Sequence, residues 1–361
     1  MRSPDGALLG GPAAGDTARL ERFFEAALAA FDRAAAVAGC RVERVGVAGQ
    51  VAELRFAGPS IRERLFPALE HLSGPGLASP SLTISVFDSA STGVPMPPPA
   101  WPRDAVGPRG EVAGFADGPW RVAFNVGSGI LLVHDRDGGR ALAWTADAAA
   151  VPYYETASPM RPLLAWWLGD AGRQVVHAAA VGRGGRGVLL TGRGGSGKTT
   201  TALLCVQAGL AYAGDNNLVL AHGTPARGHA LYGSATVRPG TLERLPALRA
   251  RLRNADRLDE EKGLLFVGGA DGTPRLPSFD VAAILLPRVV GGPRSRLEPA
   301  SAGACFAALA PSSVLSLPGA REAAVARLGA WARSVPAHHL LLGDDLDAIP
   351  GLVAGALGAA P

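Results

Sequence analysis

The stretch VLLTGRGGSGKTTTALL, residues 188–204, decides the reading of this chain. Gly192, Gly197, Lys198 and Thr199 fall at the spacing G-x-x-x-x-G-K-[ST], after an apolar strand and ahead of a helix. Glycines let successive backbone N–H groups turn inward toward an anion, and the positive end of the following helix faces the same place. The expected phosphate-binding set is therefore Gly192, Arg193, Gly194, Gly195, Ser196, Gly197, Lys198, Thr199 and Thr200. Lys198 can reach the outer phosphates of a nucleotide such as ATP, and the Thr199 hydroxyl can complete the coordination of Mg²⁺. In a chain of this composition a chance match is expected on the order of 0.003 times.

Outward from the loop, two polar residues interrupt apolar strands. His177 lies inside VVHAAAV (175–181), and Asp215 ends LAYAGD (210–215). A carboxylate at such a strand end can hold Mg²⁺ or take a proton from an incoming hydroxyl, and a turn cap is the plainer alternative. His177 reads equally as an active-site residue or as a core histidine with its bonds satisfied. Asn216 follows Asp215 and can offer an amide oxygen to a metal, making Thr199, Asp215 and Asn216 the candidate metal set.

The remaining composition narrows the classes. Lys and Arg together number 35, yet only Lys198 and Lys262 are lysines. An ammonium kept among so many guanidiniums marks a position where Arg does not substitute. Lys262 follows Asp259, Glu260 and Glu261, as a surface lysine would. The net charge of +4 is dispersed, and its densest cluster, Arg244 to Arg257, has no interleaved aromatics, which argues against nucleic acid. Three scattered cysteines read as buried hydrophobes in a reducing compartment. No leader-like start and no apolar run of membrane-spanning length is visible, so a soluble, cytoplasmic protein is expected.

At ~150 residues per domain the 361 residues suggest two domains, 1–170 and 171–361. Residues 16–38 carry apolar side chains at helical spacing, 51–56 and 82–87 read as strands, and 60–72 as a helix. A Pro-rich stretch at 94–102 reads as a rigid connector outside any core, and 120–147 as antiparallel strands. Short strands then alternate with helices to the end. The fold expected is α/β: a P-loop nucleotide-binding domain behind an N-terminal α+β domain. Asp344, Asp345 and Asp347 read as a helix-capping corner, and Ser312 with Ser313 as a turn.

HAAAV, VLLTGRGGSGKTTTAL and AYAGDNNLVL together resemble the nucleotide site of the HPr kinase/phosphorylase family, and more closely its related serine kinases of bacterial peptide-modification and surface-polymer gene clusters. LYGSATVRP (231–239), EEKGLLFV (260–267), LAPSSVLSLPG (309–319) and LGDDLDAIPGLV (342–353) extend the likeness. The resemblance implies a nucleotide domain like that of phosphoenolpyruvate carboxykinase, ATP and Mg²⁺, and a serine hydroxyl on a peptide or small protein as phosphoacceptor. It implies His177 as the active-site histidine, Asp215 as the first of a paired Asp-Asp, and Lys262 as the lysine of a Glu-Lys pair. Here the second carboxylate is replaced by Asn216, which cannot accept a proton. Asp215, His177 and Lys198 are thus the expected catalytic set of an ATP-dependent serine kinase. A catalytically weak binding module and a small-molecule kinase are the alternatives, and a homo-oligomer is compatible with either.

Overall fold

The computed structural model describes residues 14–223, 225–269, 271–314 and 321–358. The opening residues 1–13, read above for a leader, and the end of the 309–319 match lie outside them. Two compact units divide the chain. One holds the residues up to Glu43, Ala52–Arg62 and Ser81–Val151; the other holds Arg44–Val51, Glu63–Pro80 and everything from Pro152 on.

The first unit takes in α1 (Ala14–Ala38) and most of a six-stranded sheet. Its strands are β1 (Cys40–Val47), β2 (Gln50–Ala57), β3 (Leu82–Asp88), β4 (Trp120–Asn125), β5 (Ile130–Asp135) and β6 (Arg140–Thr145), in the order β1-β2-β3-β6-β5-β4. The short helices α2 (Pro59–Leu65) and α3 (Ser89–Thr92) flank β2 and β3 in sequence. Leu20, Phe23, Phe24, Ala27 and Phe31 recur at three- and four-residue spacing along α1 and pack on Val122, Leu131, Val133 and Leu142. Two expectations are corrected here. The helix read over 60–72 stops at Leu65, because Pro67 bars the residue before it from helical geometry, and only a 3₁₀ turn at Glu70–Leu72 follows. The Pro-rich stretch is part of the core: Val94 is buried, Met96 and Trp101 pack on it, and the Trp101 ring meets Phe23 edge-on at 5.3 Å.

The second unit is built around a nine-stranded sheet. In chain order its elements are α4 (Tyr153–Ala157), α5 (Arg161–Asp170), β7 (Gln174–Val176), β8 (Ala178–Arg183), β9 (Arg186–Thr191), α6 (Lys198–Gln207), β10 (Ala211–Gly214), β11 (Leu218–Ala221) and β12 (Arg227–Ala230). There follow β13 (Ser234–Val237), α7 (Pro239–Arg244), β14 (Gly263–Phe266), β15 (Ser278–Val289), β16 (Arg296–Pro299), α8 (Ala302–Val314), α9 (Arg321–Ser334), β17 (Ala337–Leu342) and α10 (Ile349–Ala356). The main path of the sheet is β10-β8-β9-β15-β12-β11-β7, with β17 also on β15 and β16 on β17; β13 and β14 form a separate pair. β9, β15 and β17 run parallel.

Both faces of this sheet are covered, so its strands read as unbroken apolar runs. Ala179, Val181, Val188 and Leu190 enter a core with α6 and α10, whereas Ala178, Ala180 and Leu189 enter the core under α8 and α9. The division at Val151 and Pro152 precedes the expected 170/171 boundary. Helices α4 and α5 belong to the second unit, where Tyr232 donates to the Pro159 carbonyl and Ser234 to that of Ala157. Cys205 and Cys305 are buried as expected, but Cys40 is exposed. Among the described residues no helix is long and apolar enough to cross a membrane.

Candidate functional site

Loop 192–197 leaves β9 at its C-terminal end and delivers the chain into α6. Gly192, Gly195 and Gly197 have φ of 145°, 84° and 106°, a region that side-chain-bearing residues rarely adopt. At Gly197 a Cβ would also meet the end of the Leu342 side chain on β17, which would have to shift. The loop is therefore a backbone turn clamped on parallel strands, with the N-terminus of α6 opening toward it.

Lys198, the first residue of α6, is buried and folds back over the loop. Its Nζ donates to the carbonyls of Gly192 at 2.6 Å and Arg193 at 3.2 Å. Burial lowers its pKa, the nearby Lys262 and Arg238 cations lower it further, and Asp215 opposes them. Thr199 donates from Oγ1 to Asp215 Oδ2 at 2.6 Å. The Thr200 hydroxyl pairs with that of Thr241 on α7 at 2.9 Å. The Ser196 hydroxyl is buried with no hydrogen-bond partner.

Asp215 is only 1% exposed. Burial raises its pKa, offset in order by the Thr199 hydroxyl, the Asn216 N–H, Lys198 and Lys262. The corner after it is held by its own atoms. Asn216 adopts the left-handed conformation (φ 72°), its N–H donates to Asp215 Oδ1 at 2.9 Å, and its Nδ2 donates to Thr236 at 3.0 Å. Asn217 donates to Ser158 at 3.2 Å.

The strand read across 175–181 is broken at His177. β7 before it pairs with β11, and β8 after it pairs with β9 and β10, so the chain changes partners at this residue. Its N–H leaves the ladder and donates to Ser313 Oγ at 2.9 Å. Ser313 lies in α8 rather than in a turn. Burial, then Lys198 and Arg161, push the His177 pKa down to about 4, against a raising hydrogen bond to the Asn216 backbone. That bond favours the protonated ring, so the imidazole donates and the carbonyl of Asn216 accepts. Ring nitrogen and left-handed Asn216 thus form one knot beside Asp215.

Lys262 is half-buried and not a free surface lysine. It lies close enough to Asp215, Lys198 and His177 to shift all three, and burial and Arg238 lower its own pKa. Both lysines of the chain therefore converge on one carboxylate. Arg238 completes the group, with Nη2 3.8 Å from where a Gly194 Cβ would be. Two lysines beside one carboxylate, with Arg238 near both of them, on a glycine-rich loop at a helix N-terminus, make a site that seeks further negative charge.

Comparison with known proteins adds a distant likeness. Among solved structures the chain is similar to the Hpr(Ser) kinase/phosphatase from Coxiella burnetii, at 15% identity and a TM-score of 0.28, over 50% of this chain and 95% of that one. No protein-family model and no curated protein matches it. At that level the match assigns neither a family nor an activity.

Sequence reasoning did not find Arg161 and Tyr153. The first lies near His177, and the second lies near Glu261 and Arg238, which act oppositely on its phenol. Neither stands in a motif, so only the fold brings them to the site. The acidic corner is also corrected. Asp345 caps no helix with its side chain; its Oδ1 accepts from Ser295 N and Oγ, both at 2.6 Å. His338 and His339 join no metal-binding group among the described residues.

Proposed function

We propose that the chain is an ATP-dependent kinase that transfers the γ-phosphate to a serine hydroxyl of a peptide or small protein. The observation that carries this reading is the placement of Lys198 and Lys262 about Asp215, with Arg238 near both lysines, beside loop 192–197. Phosphoryl transfer calls for positioning and charge stabilisation more than covalent chemistry, and such a cluster supplies both. In this reading the loop N–H groups and Lys198 hold the β- and γ-phosphates, with the ammonium turning from its carbonyl partners to phosphate oxygens. The unpartnered Ser196 hydroxyl can donate to the same oxygens. Lys262 and Arg238 offset the charge of the transferring group.

Asp215 accepts the serine proton as the serine Oγ–phosphorus bond forms and the bond to the departing ADP oxygen breaks. Thr199 and Asp215 fit Mg²⁺: a hydroxyl and a carboxylate oxygen already stand 2.6 Å apart, and one carboxylate plus phosphate oxygens is how this ion is commonly held. When bound, Mg²⁺ would neutralise phosphate charge. His177 is neutral near pH 7 and serves by fixing Asn216, and through it the Asp215 corner. Asn216 itself has one amide committed to Thr236 and contributes no charge.

A second reading, a nucleotide-dependent binding module without transfer, is favoured only by Asn216 standing where a second carboxylate would strengthen the metal site. Transfer of label from γ-³²P-ATP with Mg²⁺ into an extract of the native host separates the two. The kinase reading expects a labelled, protease-sensitive species that is lost with Lys198→Ala and weakened about a hundredfold with Lys262→Ala. ATP binding with no labelled species would leave the binding module, and label in a protease-resistant species would indicate a small-molecule acceptor.

A further inference from the structure

Two of the candidate transfer groups, His177 and Asp215, lie to one side of the loop. In the sheet β9 sits between β8 and β15; His177 leads into β8, and Asp215 follows β10 beyond it. A triphosphate whose terminal phosphorus faces Asp215, and whose chain follows the carboxyl ends of the parallel strands, carries its other end over β15 and β17.

That side is shaped to receive it. Leu285 on β15 pairs with Leu190 on β9, and Val289 pairs with Leu342 on β17, so β15 continues well past Thr191, where β9 ends. Ala283 and Leu285 share the α6 face of the sheet with Leu340 and Leu342. Alternation then places Pro287 and Val289 on that face too. The position of Gly197 agrees, since a Cβ there would overlap Leu342 and lie 3.9 Å from Pro287 Cβ. Val289 is the next residue along, beyond the loop, and it is 59% exposed although the residues before it on this face are buried. At the end of β17, Asp344 is exposed, and its N–H is tied to the Gly292 carbonyl at 2.9 Å. Its neighbour Asp345 is committed to Ser295, which fixes this loop in place.

We propose that Val289 and Asp344 form the seat for the nucleoside of a nucleoside triphosphate. The base lies on the Val289 side chain, and the Asp344 carboxylate accepts from a ribose hydroxyl or a base N–H. This rests on the phosphate-binding reading of loop 192–197. An apolar side chain gives a purine a contact that inorganic polyphosphate lacks, so the two ligands separate the two claims.

The test is calorimetric titration of the full chain with Mg-ATP and, separately, with magnesium tripolyphosphate. Wild type is expected to bind both, and Lys198→Ala to lose both. Val289→Ser and Asp344→Ala are each expected to weaken ATP about fivefold or more and leave tripolyphosphate unchanged, which also shows that the variants are folded. If wild type binds both ligands and these two variants bind ATP like wild type, or lose both ligands equally, the seat is overturned and the phosphate reading stands. A wild type that binds neither ligand overturns both.

Discussion

Asp215 sits where a carboxylate is costly to keep. It is buried among apolar strands, and its stabilising partners are one hydroxyl, one N–H and two lysines at a distance. Burial raises its pKa, so its ionised form costs stability once the pH is above the ordinary carboxylate range. The same burial strengthens it as a proton acceptor. Asp215→Asn can still accept from Thr199 but carries no charge to bury. The expected outcome is a higher melting temperature at pH 7 together with a loss of phosphoryl transfer on the order of 10²–10⁴-fold. Calorimetry and label transfer on the same preparation check it, and lower stability with full activity would remove Asp215 from its proposed role. Asp215 was legible in the sequence because a lone carboxylate closes an apolar strand. Lys262 was singled out by its scarcity, but its nearness to Lys198 was not legible, because three acidic neighbours give it the look of a surface residue and that nearness exists only in the fold.

At the scale of elements, strand β9, the loop and helix α6 form a unit whose local rules agree. An apolar run makes the buried strand, glycines make the positive-φ turn, and Lys198 opens the helix. The reason for Gly197 is nevertheless tertiary as well as local. Its φ of 106° excludes side chains, and Leu342, 145 positions on in the chain numbering (342 − 197), occupies the space a Cβ would need. Gly197→Ala is expected to lower stability by about 1–3 kcal/mol and to weaken ATP binding at least about tenfold. Denaturant unfolding and titration measure the two effects, and a variant that binds ATP normally would show that the loop tolerates a different turn. His177 shows the opposite case. Its strand looked continuous because apolar periodicity records burial but not which neighbour a strand pairs with. The switch from β11 to β9 and β10 at this residue is a matter of sheet topology.

At the scale of the whole molecule, three histidines of the second unit share one property. His71, His177 and His229 are held neutral by burial first and nearby cations second, with pKa values pushed down to about 3, 4 and 4. Both ring nitrogens of His71 are buried without a partner. Their unfolded forms bind protons below the ordinary value of 6.5, whereas the folded forms do so only near 4 or lower. Stability is therefore complete above pH 6.5 and is lost as the pH falls toward 4. Asp215 acts in the opposite sense, whereas His222, lowered by burial and then by Arg327, acts with the three. The melting temperature is expected to fall steadily between pH 6.5 and pH 4, and His71→Gln with His177→Gln to flatten that slope; an unchanged slope would locate the acid sensitivity elsewhere. Short-range chemistry settled a good deal of this protein in advance. The strand, loop and helix around Lys198, the amphipathic α1 and the apolar strands of a sheet covered on both faces all follow from spacing along the chain. Folding alone decided that the Pro-rich stretch enters a core, that α4 and α5 join the second unit, that Lys262 comes near Asp215, and that Arg238 and His177 come near the two lysines. Those are contacts between residues far apart in sequence, and local periodicity carries no information about which distant segments meet.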